Sequence, residues 1–232
     1  MHINNNKLSL SLLIFFMVFL VMKISVAQEK GGKMNVAIFL YDGVEILDFA
    51  GPGEVFASAA NDTGYAFNVY TVAIDSVPIL SQRFLTVVPQ YTIYNCPKPD
   101  IIVLPGGSTG KSAGDQNVLN WVTQNVSNAE IIMSVCTGAI ILSRAGLLDG
   151  KHATTWHGRI KHLREITPKA TIHENTRFVD DGQIITTAGV SAGIDGALHV
   201  IAKLLGEKEA ARVARYMEYD KWEPNQGLVV KD

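Results

Sequence analysis

Glu130-Ile131-Ile132-Met133-Ser134-Val135-Cys136-Thr137-Gly138-Ala139-Ile140 is the stretch that decides the fold of this chain. Ile131–Val135 is nearly continuous apolar sequence, the pattern of a strand buried on both faces. It runs without a linker into Cys136-Thr137-Gly138 and then into an apolar stretch, Thr137–Ala145, that reads as a helix. Strand, tight turn and helix in that order lift the side chain at the turn to the top of a sheet, and small residues at Ser134 and Gly138 permit the bend. A helix starting directly behind Cys136 offers free N–H groups and a favourable dipole, so the expectation is a thiol acidified below its ordinary ~8.5. The other reading of a single cysteine is a small buried hydrophobe.

The same alternation of short β-branched runs and longer amphipathic stretches continues in both directions from this turn. Strands are predicted at Val36–Tyr41, Phe67–Ile74 and Ile101–Leu104, the last again apolar throughout and therefore central with Ile131–Val135. Helices are predicted at Pro52–Ala60, with Pro52 at a first helical position, and at Asn117–Val126, Gly158–Glu165, Ala192–Leu205 and Lys208–Tyr219. Thr176–Val179 and Gln183–Thr187 flank Asp180-Asp181-Gly182 and read as a β-hairpin. The pattern is that of an α/β three-layer sandwich, a mainly parallel sheet covered by helices on both faces.

A second turn, Pro105-Gly106-Gly107-Ser108, follows Ile101–Leu104. Glycines there let backbone N–H groups come close to a ligand, so Gly106 and Gly107, with the N–H of Thr137, are candidates to stabilise negative charge on a substrate. Alone, a Gly-Gly pair is an ordinary tight turn. Asp48 falls in the connection after the first strand, which in a doubly wound sheet opens at the same carboxyl edge. Desolvated beside a thiol, it is a candidate general acid/base with a raised pKa; bonding its own backbone in a turn is the alternative. Glu54 and His157 are secondary candidates for the pocket. The remaining histidines are scattered, and no metal site or cofactor is expected.

The chain has 232 residues, 47% of them hydrophobic, and a formal charge of -2. One domain accounts for that length, and the interspersed charges argue against nucleic acid or an anionic membrane as partner. Lys7, the apolar run from Leu8 to Met22 and then Ser25-Val26-Ala27 follow signal-peptide grammar. The expected organisation is a signal peptide over 1–27, a short linker over 28–33 and one domain over 34–232, exported and without a stable membrane anchor after cleavage. An uncleaved anchor is less favoured because the run is shorter than the roughly 20 residues a spanning helix needs. A start at Met34 would leave the protein cytoplasmic. Cys96 and Cys136 are read as thiols, because they lie at opposite ends of adjacent strands, a separation of roughly 17 Å for five residues, and a disulfide needs α-carbons within about 7 Å.

Taken together, Val36–Pro52, Pro105-Gly106-Gly107, Ser134-Val135-Cys136-Thr137-Gly138, Ala145–Gly150, Ala153-Thr154-Thr155 and Gly189–Asp195 resemble the DJ-1/PfpI superfamily, and within it the branch of isonitrile hydratase and the amidotransferase-like domains of AraC-type regulators. The resemblance implies a flavodoxin-like fold, a homodimer, a small-molecule substrate, Cys136 as nucleophile and Asp48 managing proton and water. It departs at Thr154-Thr155-Trp156-His157, where that branch usually reads Thr-Thr-His-Trp. With Glu207 to Asp232 following the helix ending near Leu205, the DNA-binding region of those regulators is not expected here. The expected activity is thus a cysteine-dependent hydratase or hydrolase acting on a small carbon–nitrogen compound. The alternative is a non-enzymatic ligand-binding or oxidation-sensing module of the same fold.

Overall fold

Two strands, β4 (Ile101–Leu104) and β5 (Ile131–Val135), bury every residue and pair in parallel, Ile101 opposite Ile131 and Leu104 opposite Ser134. Side chains enclosed on both faces each contribute roughly 1.5–3 kcal/mol when aliphatic, which fixes this pair at the centre of the molecule. The computed structural model describes residues 32–231. The signal-peptide reading of 1–27 lies outside the described residues.

Around the central pair the sheet grows to eight strands: β1 (Met34–Phe39), β2 (Phe67–Ala73), β3 (Tyr91–Thr92), β4, β5, β6 (Phe178–Asp181), β7 (Ile184–Thr187) and β8 (Leu228–Val229). Their spatial order is β8-β6-β7-β5-β4-β1-β2-β3. All neighbours are parallel except the β6–β7 hairpin, whose turn holds Gly182 N–H against Asp180 Oδ1 at 3.0 Å. The chain moves outward from β1 to β2 in one direction and to β4 in the other, so β1 and β4 flank a topological switch point, where clefts open at the carboxyl ends of strands.

One helical layer comprises α1 (Ile46–Ser58), α6 (Ala192–Leu205) and α7 (Glu207–Tyr216), packed on one another. The other comprises α2 (Gly110–Gly114), α3 (Gln116–Asn125), α4 (Ala139–Arg144) and α5 (Ile160–Ile166). The expected helix at Pro52 starts earlier, at Ile46, and carries Pro52 inside it. Proline there lacks the N–H that would bond the carbonyl of Asp48 one turn back, so the helix passes through Pro52 one hydrogen bond short. Cys96 and Cys136 are free thiols, as expected.

Candidate active site

Three connections meet at the carboxyl edge of the sheet: β1 to α1 brings Asp48, β4 to α2 brings Gly106 and Gly107, and β5 to α4 brings Cys136 and Thr137. Cys136 adopts φ +56°, a left-handed backbone that costs a non-glycine residue about 1–2 kcal/mol. Bonds on both sides of the residue hold it there. Its N–H donates to Ala188 O at 3.0 Å, and its carbonyl accepts the Thr155 hydroxyl at 2.6 Å. The turn continues as a single 3₁₀ turn, Cys136–Gly138, before α4 begins.

Asp48 sits in the first turn of α1 and is fully buried. Its Oδ2 accepts the N–H of Gly106 at 2.9 Å, while Oδ1 is buried with no hydrogen-bond partner among the described residues. The closeness of the three connections shows at Gly106. A side chain there would come within 2.7 Å of Cys136 Cβ, 2.7 Å of Thr137 N and 2.8 Å of Asp48 Oδ2. Only glycine lets the turn lie this close to both groups.

Burial dominates the electrostatics. It pushes the Asp48 carboxyl from its usual 3.8 up to about 7, helped by the charge of Glu45 and opposed by the N–H of Gly106, the Cys136 thiol and the N–H of Val190. Burial likewise raises the Cys136 thiol to about 12, and the negative charge of Asp48 adds to it, against the N–H groups of Thr137 and Val190. The acidified thiol expected from the helix start is therefore not what the structure gives. A single 3₁₀ turn and a six-residue helix carry little dipole, and the residue is only 7% exposed beside a carboxylate. The two groups repel as anions and together favour holding a proton.

The Pro105–Ser108 turn is tied to the Asp48 connection by Tyr41 Oη to Pro105 O at 3.0 Å, Glu45 N to Gly106 O at 3.0 Å and Ser108 N to Gly43 O at 2.9 Å. Gly107, predicted as a charge-stabilising donor, has its N–H engaged by Thr137 Oγ1 at 3.0 Å, and its carbonyl lies 3.2 Å from the same hydroxyl. Gly106 spends its N–H on Asp48. The N–H groups that favour the thiolate are instead those of Thr137 and Val190.

Glu54 stands exposed on α1 and accepts the Ser58 hydroxyl at 3.3 Å, away from the site. His157 is exposed, its ring 4.9 Å from that of Trp156, and lines the outer part of a cavity of about 580 Å³ whose wall includes Thr155, Trp156 and Val190. Thr155 and Val190 have no role assigned from the sequence, although both lie in segments that resemble the family. Val190 takes φ +52°, which a β-branched residue rarely adopts. Its N–H lowers the pKa of both Cys136 and Asp48 against the effect of burial.

The DJ-1/PfpI family pattern matches residues 34–203, which takes in all of these groups. The chain belongs to the DJ-1/PfpI family. Among similar proteins, isonitrile hydratase of Pseudomonas putida is 35% identical over 190 residues, covering 80% of this chain and 78% of that one. The HTH-type transcriptional regulator CdhR of Pseudomonas aeruginosa is 25% identical, and the match spans 81% of this chain but only 55% of the regulator. A ThiJ/PfpI family protein of Pseudomonas syringae superposes with a TM-score of 0.74 at 32% identity, covering 83% of this chain and 78% of the other. Drosophila melanogaster DJ-1beta shares the fold, with a TM-score of 0.71 at 20% identity over 81% and 98% of the two chains. This DJ-1/PfpI protein thus carries the α/β fold, with its mainly parallel eight-stranded sheet, that the sequence led us to expect.

Proposed function

We propose that this DJ-1/PfpI protein is a cysteine-dependent hydratase that adds water to a small isonitrile and releases an N-substituted formamide. The observation that carries this reading is the buried Asp48 carboxyl, raised to about 7, against the buried thiol of Cys136. A carboxyl poised near neutral pH both accepts and returns a proton. The 35% identity to isonitrile hydratase supports the choice of substrate.

In the first step Asp48 takes the thiol proton as Sγ attacks the terminal carbon of R–N≡C. Asp48 then returns that proton to the same carbon, leaving the thioimidate Cys136–S–CH=N–R. Water next adds to this carbon: Asp48 accepts one water proton and passes that same proton to the nitrogen, giving Cys136–S–CH(OH)–NH–R with the second proton still on oxygen. The C–S bond breaks, R–NH–CHO leaves, and the proton on the former water oxygen restores the thiol. The sum is R–NC plus water to formamide, with no oxidant or reductant. The N–H groups of Thr137 and Val190 stabilise the sulfur as charge forms on it.

A homodimer is part of this reading, supported by the exposed apolar side chains Val77, Phe84, Val88 and Tyr94 around the hairpin of Ile79–Ser81 and Leu85–Val87. The test is formamide production from aliphatic and aromatic isonitriles by wild type, Cys136→Ala and Asp48→Asn. Activity confined to proteins with both side chains supports the reading; wild-type turnover by Cys136→Ala overturns it.

A further inference from the structure

On the Gly107 and Thr137 side of the site lies a cavity of about 700 Å³ that the hydratase reading leaves unused. Its wall gathers four basic side chains from separate elements: Lys111 on α2, Arg144 at the end of α4, Arg159 in the 3₁₀ turn before α5, and His162 on α5. Among the described residues no aspartate or glutamate lines it. Among the described residues none of the four takes part in an ion pair.

The cations Lys111, Arg144 and Arg159 gathered in one concave wall repel one another, and a chain of net charge -2 has carboxylates enough to neutralise them. Here the positive charge stays uncompensated, and in a cleft it concentrates the field on whatever enters. Arginine pairs match the planar oxygens of carboxylate and phosphate with paired donors. The cavity wall includes Gly107 and Thr137, the residues that follow Gly106 and Cys136 in the two turns of the candidate site, while Cys136 and Asp48 themselves do not line it.

We infer that this cavity is an anion subsite, in which Lys111, Arg144, Arg159 and His162 hold a carboxylate or phosphate group of the ligand. This rests on the hydratase reading only for the further step that the ligand is the substrate, an isonitrile bearing an acidic group. Binding of the anion itself does not depend on it.

Calorimetric titration of the full chain with inorganic phosphate, and separately with malonate, at fixed ionic strength tests the subsite without using Cys136 chemistry. Wild type is expected to bind at least one anion saturably at one site per chain. Arg144→Gln/Arg159→Gln, both exposed positions, is expected to bind tenfold or more weakly with an unchanged melting temperature. Lys208→Gln, which removes one charge elsewhere, should bind as wild type. Tighter phosphate assigns a phosphate ligand, and tighter malonate a carboxylate. Absence of saturable binding, or equal binding by the double variant, overturns the subsite. Turnover of isocyanoacetate and of cyclohexyl isonitrile by the same proteins separates the two claims. Loss of both reactions with anion binding intact overturns only the hydratase reading. Turnover of cyclohexyl isonitrile without anion binding overturns only the subsite.

Discussion

Gly106 gives its N–H to Oδ2 of Asp48 at 2.9 Å, and this bond fastens the glycine turn after β4 to the first turn of α1 with the nucleophile turn directly against both. Replacing Gly106 by alanine puts a methyl group on Cys136 Cβ, Thr137 N and Asp48 Oδ2 at once. Overpacking of this kind costs about 1–3 kcal/mol. We expect Gly106→Ala to melt several degrees lower by calorimetry and to lose at least tenfold in turnover.

Asp48 makes stability depend on pH with a definite sign. Its carboxyl holds a proton more tightly folded, at about 7, than in the unfolded chain, at 3.8. The folded state binds the extra proton between those values, so this contribution is complete below about pH 4 and is lost as pH rises through 7. Each pKa unit corresponds to about 1.4 kcal/mol. Denaturant titrations from pH 4 to 8 should show wild type losing stability relative to Asp48→Asn, and parallel curves would refute the assignment.

Alkylation of Cys136 should report the same coupling. With the negative charge of Asp48 removed, its thiol pKa falls from about 12. Iodoacetamide labelling followed by peptide mass spectrometry should therefore be faster at pH 8 in Asp48→Asn than in wild type. Equal rates would mean the two groups do not interact.

How much of this was legible in the sequence depended on how local the cause is. Ile101–Leu104 and Ile131–Val135 were predicted to the residue, because an apolar run buried on both faces announces itself. The start of α1 was misplaced because Pro52 reads as a first helical residue, whereas packing around Asp48 carries the helix through it. The raised thiol pKa was hidden too, since it follows from burial and from a carboxylate 88 positions away in a chain of 232. Thr155 and Val190 lie in segments that resemble the family, but the group that gives each a role, Cys136, is distant along the chain.

Thr155 supports the strained turn, its hydroxyl bonding the Cys136 carbonyl at 2.6 Å. Leaving a buried acceptor unpaired costs about 1–3 kcal/mol. Thr155→Val should lower both melting temperature and turnover, and Thr155→Ser, which restores the hydroxyl, should recover most of the turnover. A valine variant as active as wild type would show that the turn holds its shape without this bond.

The most direct measurement of the central claim is intact-protein mass spectrometry of wild type mixed with an aromatic isonitrile and quenched in acid within the first turnovers, with Asp48→Asn and Cys136→Ala alongside. The account predicts an adduct of the mass of the isonitrile on Cys136 in wild type, formamide in solution, and neither in Cys136→Ala. Formamide produced at the wild-type rate by Cys136→Ala, or an adduct that maps to Cys96, would contradict it.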